Sequence, residues 1–142
     1  MIQDKDLLLK DLCARLPHNV KVSIPELQQD QTFTLIGVTQ SYIIVEKDNG
    51  ARFNVPLNID FKPYLRTMSS MTEEELFEVQ DIIGKGVEIH DSFISIIDSS
   101  INSFSYLELQ AIFEWFNAHH FDYLGLIEKN LALDCTELHI YD

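Results

Sequence analysis

The chain has 142 residues, 46% of them hydrophobic and 23% charged, with a formal net charge of −13. That size fits one folded domain, and the apolar content excludes a disordered acidic tail. The charge is one-sided: Met1 to Arg66 balance eight acids with eight bases, whereas Thr67 to Asp142 hold fifteen acids against Lys85 and Lys129 alone. We therefore expect a single domain, 1–142, with a neutral mainly β half (1–66) and an acidic α+β half (67–142).

The summed field repels phosphates and anionic lipid, so neither nucleic acid nor membrane is expected as a partner, whereas a basic protein is. The opening residues lack a secretory pattern and no run reaches the ~18 apolar residues of a bilayer span. A cytoplasmic location is the expectation. Cys13 and Cys135 stand far apart without metal-ligand spacing, which favours small apolar fillers over zinc ligands; a bridge between them stays open.

In chain order, Leu8, Leu9, Leu12, Cys13 and Leu16 recur at helical spacing behind Asp4 and Asp6, and Pro17 stops that helix. The period then changes to two. Val20, Val22 and Ile24 alternate with polar residues, as do Phe33 and Leu35, and Gly37 marks a bulge. Tyr42 to Val45 is apolar on both faces, Asp48-Asn49-Gly50 suits a tight hairpin, and Phe53, Val55 and Leu57 alternate again. Pro56 and Pro63 place the last of these strands at an edge or end it. The pattern predicts four antiparallel strands, as a small sheet or a partly open barrel.

Thr72 to Glu75 and Ser105 to Glu108 both fit capping boxes. The first opens a helix over about 73–83 that Gly84-Lys85-Gly86 ends; between the two, Val87 to Ile97 reads as a second β-hairpin turning at Asp91-Ser92. In the second helix Leu109, Ile112, Phe113, Phe116 and His120 share a face, and Trp115 and His119 are spaced to stack. Asp122 caps a further short helix, Tyr123 to Lys129, that Asn130 ends, and the alternation in Thr136 to Tyr141 predicts a terminal strand. The fold class expected is α+β, with an N-terminal helix, the sheet, the hairpin and C-terminal helices.

Asn117 to Leu133 (NAHHFDYLGLIEKNLAL) resembles a family of uncharacterised small proteins from gut Bacteroidetes genomes, prophages and mobile elements. Lys10 to Pro17, Lys62 to Arg66 and Ser69 to Glu75 share the resemblance. Relatives usually carry arginine where Leu124 stands and glycine where Asn130 stands. The family has no established activity, so the resemblance implies a setting, a small accessory protein of a mobile or phage-derived region, and no catalytic residue.

Trp115, His119, His120, Asp122 and Tyr123 form the densest functional pattern, expected to meet a protein partner. Adjacent helical residues point about 100° apart, so His119 and His120 are poorly placed to share a metal, and no cofactor is expected. The leading expectation is a non-enzymatic interaction module binding through an acidic surface. Two alternatives stand beside it. One is a metal-dependent or acid–base enzyme joining His90 and Asp91 to His119, His120 and Asp122; the other is an acidic nucleic-acid mimic acting on a DNA-binding host protein.

Overall fold

A computed structural model describes residues 4–91, 93–97 and 103–141, apart from the side chains of Gln29 and Asp30. Helix α1 (Asp4–Arg15) turns Leu8, Asp11, Leu12 and Arg15 inward at three- and four-residue steps and ends in a 3-10 turn, Leu16–His18, that contains Pro17. Asn19 takes a left-handed φ of 57°, a conformation its short amide tolerates, and redirects the chain into the sheet.

Strands β1 (Lys21–Ile24), β2 (Gln28–Val38), β3 (Tyr42–Glu46) and β4 (Arg52–Pro56) run antiparallel in succession, as the alternation predicts. The register between β2 and β3 shifts between Leu35 and Gly37, which confirms the bulge. A Cβ on Gly37 would lie 3.0 Å from the Cδ1 of Ile44, its cross-strand partner, so close packing against that side chain rather than a turn favours glycine there. Pro56 ends β4, which lies at the sheet edge.

Two further strands widen the meander: β5 (Lys62–Leu65) pairs antiparallel with β1, and β8 (Leu133–Asp134) pairs parallel with β5. The result is an open six-stranded mixed sheet, ordered β4-β3-β2-β1-β5-β8, which does not close into a barrel. Because β8 comes from the acidic half, the charge boundary at Arg66 is not a boundary of the sheet. Leu8 and Leu12 of α1 pack with Val22, Phe33, Leu35, Ile43 and Val45 in a first apolar core. Each such side chain contributes roughly 1.5–3 kcal/mol by leaving water.

A second core gathers Met68, Val79, Val87, Ile112, Trp115, Phe116 and Phe121. It is built by α2 (Glu73–Ile83), the hairpin β6 (Val87–Ile89) and β7 (Ile94–Ile96), and α3 (Tyr106–Ala118). Both capping boxes form, with Thr72 and Ser105 each accepting from the backbone amide three residues on, and Gly84 closes α2 at φ 68°. Ser105→Ala should therefore lower stability by about 1 kcal/mol in a urea melt, and an unchanged midpoint would contradict that role.

Three expectations need correction. Tyr123 to Lys129 is not a helix: Gly125 sits at φ 76°, outside helical space, and residues 126–130 form turns instead. Asp122 still serves that segment, accepting from the Leu126 and Ile127 amides at 2.8 and 2.9 Å. Thr136 to Tyr141 is not a strand either. The Asp134 carboxylate takes both the Thr136 amide and hydroxyl, at 2.9 and 2.6 Å, which curls the chain into a turn, and His139 is left-handed at φ 54°. The third concerns Cys13, which is exposed, whereas Cys135 is buried as expected of a filler; both are free thiols. The turn residue Ser92 lies outside the described residues, among which no helix is long and apolar enough to cross a membrane.

Candidate functional site

Residues 115–123 form the joint between the two cores rather than one exposed face. Trp115 is buried, with its ring stacked on His119 at 4.0 Å and on Phe121 at 5.7 Å. The Trp115–His119 stack anticipated from their spacing is therefore present, and His119 Nδ1 lies 2.9 Å from the Trp115 carbonyl oxygen. α3 stops at Ala118, so His120 belongs to a left-handed turn at φ 64° rather than to the helix face. Asp122 is buried as well, which leaves His119 and Tyr123 as the partly exposed members of the five.

Around this joint gather most of the buried polar groups among the described residues. Arg15 is wholly enclosed, donating from Nε to Asp11 at 2.8 Å and from Nη2 to the Phe121 carbonyl. Asn117, His120 and Asp122 are buried beside them, and Tyr123 lies under the Arg15 guanidinium at 5.5 Å. Burial pushes the Asp11 carboxyl up, although Arg15 draws it down. Burial also lowers His120, to about 4, helped by the positive charge of Arg15, His119, His18 and Arg66. Asp11 Oδ1, Arg15 Nη1, Asn117 Oδ1 and His120 Nδ1 have no hydrogen-bond partner among the described residues. An unpaired buried group costs about 1–3 kcal/mol, so electrostatics at this joint carry high stakes.

Arg66 and Tyr141 complete it. Arg66 donates two bonds, 2.8 and 2.9 Å, to Glu75 and lies over the Phe121 ring at 4.2 Å; the first of these interactions holds the Glu75 carboxyl down to about 2. Tyr141 stacks on His120 at 3.5 Å. Its hydroxyl accepts from the Lys21 amide and donates to the Tyr64 carbonyl, both at 2.8 Å, where the β1–β5 ladder would otherwise continue from the Val22–Pro63 pair.

Two surface depressions flank the joint. Groove one, about 570 Å³, takes His119 and His120 together with Arg66, Cys135 and Tyr141. Burial raises the Cys135 thiol there to about 11, which keeps it protonated and a poor nucleophile. The other depression takes Asp122 and Tyr123, and Asp91 reaches it too. His90 lies beside Asp91 in an adjoining aromatic pocket. The proposed acid–base set is thus divided: Asp91 and Asp122 line one depression, His119 and His120 the other. No group of three His, Cys, Asp or Glu among the described residues is placed to hold a metal ion.

A further surface was not singled out from the sequence. On α2, Glu74, Phe77, Glu78, Asp81 and Ile82 follow three- and four-residue steps and are all exposed. Tyr106 and Leu107 at the start of α3 are 92% and 78% exposed. A helical wheel of residues 73–83 carries the signal, because Phe77 falls among the acids and away from Val79 and Ile83, and Ile82 falls between Glu75 and Glu78. No protein-family model, curated protein or solved structure matches the chain.

Proposed function

We propose that this chain is a non-enzymatic protein-interaction module that binds a basic partner through the acidic outer face of α2. The observation that carries this reading is the composition of that face: three exposed carboxylates, Glu74, Glu78 and Asp81, alternate with Phe77 and Ile82, and α2 contains no basic residue. Lys85, just beyond the helix, is committed to Glu108 at 2.8 Å. Apolar anchors within a charged rim fit a protein groove, where the anchors supply affinity and the charges steer encounter. They fit nucleic-acid mimicry poorly, since a phosphate-like array has no use for a phenylalanine in its row. Division of the histidines and aspartates between two depressions weighs against the enzyme alternative. The resemblance implies a cytoplasmic accessory role in a phage-derived or mobile region.

A Glu74→Lys, Glu78→Lys, Asp81→Lys variant tests the reading, because these side chains are exposed and their exchange spares the core. Partner capture from the native host should be strong at low salt, fall steeply as the Debye length shrinks toward about 3 Å at 1 M, and vanish in the variant at unchanged melting temperature. Capture indifferent to both salt and charge reversal would rule the reading out.

A further inference from the structure

A second feature of the acidic half is a pocket of about 130 Å³ beneath the β6–β7 hairpin, equivalent to about four water molecules in volume. Met68, Ile89, Ile94, Phe113, Phe116 and Tyr123 wall it. Phe113 stacks on Tyr123 at 5.3 Å and Phe116 tilts against it at 5.5 Å, so the rings are fixed by one another. Yet Phe113 is 40% exposed and Phe93, at the rim, 60%. At the same rim stands Asp91, exposed and without a hydrogen bond or ion pair among the described residues. His90 is engaged instead, stacked on Phe93 at 4.1 Å with Nε2 3.3 Å from the Ser95 hydroxyl and 3.7 Å from Glu88. The depression that adjoins the pocket through Asp91 adds the exposed Glu128, with Lys129 the one cation among its described lining residues.

We infer that this pocket is the anchor point for one lysine or arginine side chain of the basic partner. The inference rests on the proposed interaction role and specifies its partner's chemistry. A long aliphatic stem matches the ring-lined wall, since lysine and arginine bury their methylenes while keeping the charge in water. The charged head then meets Asp91 at the rim. An anionic side chain would face the exposed carboxylates of Asp91 and Glu128 across one ammonium.

The test uses n-butylammonium as the lysine probe, n-butanol as its uncharged counterpart, and methyl chemical shifts of Met68, Ile89 and Ile94. n-Butylammonium should shift these methyls saturably at millimolar concentration. Asp91→Asn should weaken that binding about fivefold, a loss of roughly 1 kcal/mol, and Glu137→Gln, an exposed acid elsewhere, should leave it unchanged. Absence of saturable shifts, equal binding of n-butanol, or indifference to Asp91→Asn would each overturn the inference. Salt-sensitive capture through α2 is measured separately, so that reading survives or fails independently of the pocket.

Discussion

Arg15→Ala is expected to lower stability by about 3–5 kcal/mol, the loss typical of breaking a buried ion pair by removing one partner. Arg15 has no contact with solvent, and its guanidinium serves both Asp11 on its own helix and the Phe121 carbonyl in the opposite half. Truncation leaves the Asp11 carboxylate enclosed without a counter-charge and the carbonyl without its donor. Since burial already pushes the Asp11 carboxyl up, the variant should bind a proton there on folding and lose stability further as pH rises. Urea denaturation at two pH values measures both effects. Asp11→Leu with Arg15→Met supplies the contrast, because a buried pair replaced by apolar residues of similar volume is often neutral. A single-variant loss under about 1 kcal/mol, the range of an exposed pair, would show that Arg15 is not the tie it is described to be.

The second large effect concerns acid. His120 titrates at about 4 in the folded chain against 6.5 for an ordinary imidazole. Its folded value is depressed, so the unfolded chain binds the extra proton, and stability present above pH 6.5 is lost as pH falls toward 4. The total is about 3 kcal/mol, with a slope approaching 1.4 kcal/mol per pH unit inside that window. Glu75, held down to about 2 by Arg66, acts with the same sign in a lower window, between its ordinary 4.5 and 2. Its partial exposure screens that contribution. His120→Asn isolates the first effect, because asparagine accepts the left-handed backbone at position 120 and does not titrate. The pH-dependence of its stability between 4 and 6.5 should flatten; a slope equal to that of the unaltered chain would exclude His120 as the source.

Local signals predicted local structure well. The capping boxes at Thr72 and Ser105, the stop at Gly84, the bulge at Gly37 and the hairpin at Asp48-Asn49-Gly50 depend on backbone demands that one or a few residues reveal. The failures have a shared cause. Leu133–Asp134 becomes a strand only because β5 lies beside it, and two residues carry no period. Tyr123 to Lys129 has helical composition, but Gly125 adopts its permitted left-handed conformation and Asp122 captures the amides of residues 126 and 127. The dense run from Trp115 to Tyr123 was legible as special, although Trp115, His120 and Asp122 turn inward. A single sequence does not reveal that Arg15, about a hundred positions earlier, and Tyr141 converge there. Conversely, the exposed face of α2 was readable from its wheel, where Phe77 and Ile82 stand among acids.

The Tyr141 phenol occupies a place where two strands would otherwise bond each other directly. A backbone gap filled by a side chain from the far end of the sequence makes the neutral half an unfinished object by itself. Cut at Arg66, it would retain its meander but lose the strand beside β5, the carbonyl that receives Arg15, and the hydroxyl bridging Lys21 to Tyr64. The boundary so plain in the charge pattern is therefore a poor place to divide the molecule, and the two halves are not interchangeable cassettes.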